Sequence, residues 1–174
     1  VTIDLVPGFG VRLSRPWPDL AFGMSKEDVR QLLEPHGGVS SRFVCGAEWA
    51  VGFTLPGVGV TLSAGRASGL DCVSVVKLPL LTVEPWPVGF VGIDVFGWSA
   101  DEVLDALQSE GLAVPELNHG NVCIGDLRLS SGMTHSAASA PRKKLRRQPP
   151  YSFGYAALWL PRTGTASDPR ILKG

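Results

Sequence analysis

The chain reads as α+β: two tandem repeats of a short helix plus antiparallel strands, with the helices packed on one side of the sheet. Three observations predict this. Residues 22–37, FGMSKEDVRQLLEPHG, recur 74 residues later as FGWSADEVLDALQSEG at 96–111, with Phe22/Phe96, Gly23/Gly97, Ser25/Ser99, Val29/Val103, Leu33/Leu107 and Gly37/Gly111 identical. Self-similarity of this kind marks one supersecondary unit used twice. Second, 21 Gly and 14 Pro punctuate the 174 residues, favouring short strands and turns over long helices. Third, the apolar runs between the two segments are joined by connections too short for parallel crossovers, so neighbouring strands are expected to be antiparallel.

The elements follow in order. Ile3 and Leu5, then Val11 and Leu13, alternate on either side of Pro7-Gly8, which predicts a hairpin. Pro16-Trp17-Pro18 can continue neither a helix nor a central strand and is read as a rigid connector. Ser25 is the expected cap of the first helix, with Asp28 reaching back to the Ser25 N–H as a variant capping box. Val29, Leu32 and Leu33 form its apolar stripe, Met24 and Val29 have staple spacing, and Pro35 and Gly37 stop it. Strands are predicted at 43–44, 48–55, 58–63 and 70–78, with the clearest alternation at Val58, Val60 and Leu62.

The second unit repeats the order. Pro85-Trp86-Pro87 echoes the first connector, 88–96 is strand-like, and Ser99 with Glu102 forms a full capping-box pattern. Trp98 and Val103 have staple spacing, Leu107 continues the stripe, and Gly111 ends the helix. Strands are predicted at 122–124, 126–130 and 153–160. The units are thus 1–78, a connector at 79–88, and 89–160, followed by a tail at 161–174. The expected core comprises Phe22, Val29, Leu33, Val60, Leu62, Val73, Val75, Phe96, Val103, Leu107 and Leu158.

The second copy carries an insertion at 133–150, MTHSAASAPRKKLRRQPP, without hydrophobic period. It holds five of the 16 Lys/Arg residues and no acid, so the remaining 11 basic residues face 16 acidic ones in a body of net charge −5. Arg142, Lys143, Lys144, Arg146 and Arg147 are the candidate contacts to nucleic acid or another polyanion through loop 141–150. The whole chain is formally neutral, so no global field draws it to nucleic acid or membrane. No apolar run is long enough to span a bilayer, and no membrane partner is expected. The segment VTIDLVPGFG lacks a secretory pattern, and Val1 fits a GTG start codon, so a cytoplasmic bacterial protein is expected. Cys45, Cys72 and Cys123 are read as buried free thiols.

No motif points firmly to catalysis. His119 and Cys123, four apart, lack the paired spacing of a metal site, so neither a metal nor a cofactor is expected. They remain the candidate pair should the chain be an enzyme of unknown type. His36, at a helix end, is expected to meet free carbonyls. The five tryptophans are many for this length, and Trp17, Trp49, Trp86 and Trp159 are the candidate anchors of a protein-binding surface.

FGMSKEDVRQLL, a capped helix after Gly-Met-Ser and before a strand meander, resembles the repeat of the β-lactamase inhibitory protein family and the helix signature of the BamE/SmpA-like lipoproteins. The resemblance covers the two helical segments and the order of the strands. It implies tandem helix-plus-sheet units whose aromatic sheet surface binds a protein. The disulfide pairs and lipobox of those families have no counterpart here. The expected function is a non-catalytic protein-binding module, of inhibitor or immunity type. Polyanion binding through the basic loop is the alternative, and an enzyme is the second alternative.

Overall fold

The computed structural model describes residues 2–65, 69–79, 84–131 and 151–161. Basic residues Arg142, Lys143, Lys144, Arg146 and Arg147, together with most of the tail, lie outside them. Both expected helices form, α1 at Lys26–Leu33 and α2 at Ala100–Ser109. The rest is β-structure: β1 (Ile3–Val6), β2 (Gly10–Leu13), β3 (Leu20–Ala21), β4 (Ser40–Ser41), β5 (Trp49–Leu55), β6 (Val58–Ala64), β7 (Cys72–Lys77), β8 (Val88–Phe90), β9 (Ile93–Asp94), β10 (Asn121–Ile124), β11 (Leu127–Ser130) and β12 (Tyr155–Trp159).

The strands make two sheets, a five-stranded one in the order β3-β2-β1-β8-β9 and a seven-stranded one in the order β10-β11-β12-β7-β6-β5-β4. The strands before residue 79 and those from Val88 onward therefore share both sheets. They meet at the antiparallel pair β7–β12, where Val73 faces Leu158 and Val75 faces Ala156. They meet again at β1–β8, where Ile3 faces Val88 and Leu5 faces Phe90 in parallel register. That parallel pair corrects the all-antiparallel expectation. Connection length constrains only strands adjacent in sequence, and more than eighty residues separate these two. Gly89 leaves room at this joint for the Asp4 side chain, which a Cβ there would displace.

A single apolar cluster contains residues from both sheets and both helices. Each helix gives it one stripe, Val29 and Leu33 from α1, Ala100, Val103 and Leu107 from α2, all buried. α1 contacts β5 and α2 contacts β9. All the expected core residues are buried except Phe22, which is half-buried against the cluster.

The helix ends differ in their chemistry. On α2 the box closes: Glu102 accepts from the Ser99 N–H at 3.0 Å and Ser99 Oγ accepts from the Glu102 N–H at 3.4 Å. On α1, Ser25 Oγ accepts from the Asp28 N–H at 3.1 Å, but the Asp28 carboxylate takes the Ser25 hydroxyl at 2.8 Å rather than its backbone N–H. Aspartate is one methylene shorter and does not reach back. α2 ends with Gly111 N–H on Gln108 O (3.0 Å) and Leu112 N–H on Leu107 O (3.2 Å), the paired bonds of a Schellman cap. Gly111 supplies the positive φ (83°) that this cap needs. α1 instead runs into a 3₁₀ turn, Glu34–His36, containing Pro35.

Several expectations are corrected. Residues 43–44 are not a strand; pairing with β5 occurs earlier, at Ser40 and Ser41. Cys45 and Cys123 are exposed and only Cys72 is half-buried, because residue 45 lies outside the strands and residue 123 points away from the core. Trp98 is 49% exposed, outside the core cluster that takes in Val103. It lines a surface depression with Glu102 and Asp105. His36 stacks its ring on Trp17, with centroids 4.7 Å apart.

Candidate functional site

Side-chain alternation divides the seven-stranded sheet into two faces. On the inner face two apolar rows cross six strands without interruption. One runs Val51, Leu62, Val73, Leu158, Leu127, Ile124; the next runs Phe53, Val60, Val75, Ala156, Leu129, Val122. Every member is buried.

The outer face is set one residue out of phase. Its rows are Ala50-Ser63-Cys72-Trp159, Gly52-Thr61-Ser74-Ala157-Arg128-Cys123 and Thr54-Gly59-Val76-Tyr155-Ser130-Asn121. Small residues occupy the middle. None of these positions is Asp, Glu or Lys. Absence of Lys and acids, with aromatic residues and Arg present, is shared with the centre of protein interfaces, whereas the many Ser and Ala here are not.

The aromatic residues of this face stand at its margins. Trp159 is 37% exposed and Val76 40%, and Leu160 follows at 41%. Phe43, beside β4, is 92% exposed, the most exposed large apolar side chain described. Its neighbour Arg42 is held by an N–H bond to Ala50 O (3.0 Å) and lays its side chain over Gly52, where a Cβ would stand 2.6 Å from the guanidinium Nε. Gly59 likewise leaves room beside Val76, whose Cγ1 would be 3.2 Å from an added Cβ. The result is a groove lined by Arg42, Phe43, Thr54, Gly59, Val76 and Leu78. Phe43 was legible only as an apolar residue in a run, and alternation gave no signal that it would lie outside a strand.

Burial tunes the groups within the face. It pushes the Cys72 thiol up to about 11, with the Asp71 charge adding to the rise and a hydrogen bond with Ser63 opposing it. Cys72 therefore stays protonated near neutral pH and lacks the thiolate that nucleophilic chemistry requires. Burial also raises the Tyr155 phenol, assisted by Cys72 and opposed by Arg128 and Ser74. Tyr155 is thus a neutral hydrogen-bonding aromatic at working pH.

The four tryptophans singled out from the sequence are distributed rather than gathered. Trp17 lies against the interior, its ring stacked 5.3 Å from Phe53 on one side and on His36 on the other. Trp49 and Trp86 are half-buried against the core cluster; Trp49 has the inward parity of β5, and the Trp86 backbone N–H donates to Pro56 O at 3.0 Å. Trp159 alone of the four belongs to the outer face. His119 and Cys123 line one depression with Arg128 at the β10 edge. Among the described residues no group of three or more His, Cys, Asp or Glu side chains is arranged to hold a metal ion, and no helix is long and apolar enough to cross a membrane. No protein-family model, curated protein or solved structure matches the chain.

Proposed function

We propose that the chain is a non-catalytic protein-binding module that docks its partner across the outer face of the seven-stranded sheet. One observation carries this reading: a broad face with no acid or Lys at its paired strand positions, with Phe43, Val76 and Trp159 exposed on it. Exposed aromatic residues around small, flat positions supply anchors that desolvate on contact. Six strands spaced about 4.8 Å apart give a width of roughly 25 Å, enough for a standard interface.

The architecture is read as a duplicated unit. Its support is the order of strands: β7-β6-β5 and β12-β11-β10 run outward as matching meanders from the β7–β12 pair, and β2-β3 and β8-β9 flank β1. An inhibitor or immunity-type role in a bacterium is the form of protein binding that the repeat resemblance favours. The test is affinity capture from source cells with the full chain and with the double variant Phe43→Ala, Trp159→Ala, both checked for folding by circular dichroism. A stoichiometric partner held by the parent and lost by the variant is expected. A partner held equally by both, or none, moves function away from this face.

A further inference from the structure

At the β10–β11 end of the outer face, the chain builds a depression rich in hydrogen-bond donors. Its wall is a two-residue hairpin, His119-Gly120, in which Asn118 and Asn121 exchange backbone N–H···O bonds of 2.9 Å each. Both central residues have positive φ, 50° at His119 and 76° at Gly120, as a type I′ turn demands. Glycine suits position 120 because of its positive φ; a Cβ there would also displace the Ser131 hydroxyl, and the Gly120 carbonyl takes the Ser131 N–H at 2.9 Å. The turn is thus held against β11, and it places His119 in the left-handed region, uncommon for a residue with a side chain.

Asn121 then links the turn to the sheet. Its Nδ2 donates to His119 O at 3.1 Å, and its Oδ1 accepts from Arg128 Nη2 at 3.2 Å. The bond that orients Arg128 goes to a neutral amide, and among the described residues no carboxylate is paired with its guanidinium. Arg128 is exposed and sits on the outer face between Ala157 and Cys123. His119, Asn118 and Glu116 line the same depression.

We propose that this depression receives an Asp or Glu side chain of the protein that docks on the sheet, an inference that rests on the docking-face reading above. A guanidinium fork matches a carboxylate bidentately, and the amide of Asn118 and the ring of His119 add donors around it. Glu116 on the same wall opposes any anion, a doubly charged phosphate more than a single carboxylate. The partner is accordingly a protein surface on which an acidic residue neighbours apolar ones, the acid meeting Arg128 while the apolar groups meet Tyr155, Val76 and Trp159.

The test is NMR on the ¹⁵N-labelled full chain, titrated with acetyl-Tyr-Glu-Tyr-amide and, separately, acetyl-Tyr-Gln-Tyr-amide. The Arg128 Nε–H and Asn121 side-chain amide signals should shift at about two- to fivefold lower concentration of the Glu peptide, the discrimination an exposed ion pair gives. Arg128→Met, at an exposed position, should fold normally and lose that discrimination. Equal shifts with both peptides, discrimination surviving in Arg128→Met, shifts confined to Val76 and Trp159, or no shifts would each overturn the pocket. The docking face is judged separately, by capture with the Phe43 and Trp159 variant.

Discussion

The two faces of the seven-stranded sheet, followed across six of its strands, differ sharply in composition. The inner rows carry only Val, Leu, Ile, Phe and Ala, all buried; the outer rows, one residue out of phase, carry Gly, Ser, Thr, Ala and a few large side chains left partly in water. A one-residue slip in any pairing would exchange the faces, so the inner rows fix the register and thereby aim every outer side chain. The inner face carries most of the buried apolar area, and the outer one keeps Val76, Trp159 and Arg128 exposed.

The largest effect expected of that division contrasts two phenylalanines. Phe53, 1% exposed within an inner row, should cost about 3–5 kcal/mol on replacement by Ala, read as a lowered denaturant midpoint. Phe43→Ala should leave stability within about 0.5 kcal/mol while abolishing partner capture. Comparable losses from the two would break the comparison.

Cys72 blurs the division, lying on the outer face yet half-buried, and pH should expose this. Its thiol is raised from 9.0 to about 11 in the folded chain, so the unfolded chain ionises first as pH rises. Its contribution to stability is present in full below about pH 9 and lost as pH climbs toward 11, on the order of 2 kcal/mol. Cys72→Ser should flatten that part of the pH–stability curve. In labelling at pH 8, Cys45 and Cys123 should react readily and Cys72 at least roughly tenfold more slowly, because it is short of thiolate. Equal rates at all three would remove the argument from burial.

The two helices show the same lesson at smaller scale, with like motifs completed differently by their surroundings. Ser99→Ala and Ser25→Ala should each cost about 1 kcal/mol in thermal denaturation, Ser99 the more because it anchors a closed box. Asp28→Glu should gain about 0.3–0.5 kcal/mol by letting the carboxylate reach the Ser25 N–H, sharpening the likeness of the two caps. No gain would mean that backbone geometry, not side-chain length, keeps the first box open.

Local chemistry made much of this legible. Ser25 and Ser99 announced helix starts because capping depends on residues within one turn. Val58, Val60 and Leu62 announced an inner face because alternation is a property of the strand itself. The β1–β8 pair was not legible, since two strands more than eighty residues apart leave no local trace of each other. The proposed docking face was only half legible. Tryptophan content suggested a binding surface, yet Trp17 became a filling between His36 and Phe53, and Phe43, read as strand, became the most exposed large apolar side chain described.

By itself the amino-acid sequence determined the class of the fold, the two capped helices and the inner side of most strands, because each rests on contacts a few residues apart. Tertiary structure alone decided that both halves share two sheets, that Trp159, Val76 and Phe43 stand on one outer face, and that His119 and Arg128 meet beside Asn121. Those outcomes depend on which strand lies beside which, and strand pairing is chosen by the burial of a whole apolar row rather than by any one segment.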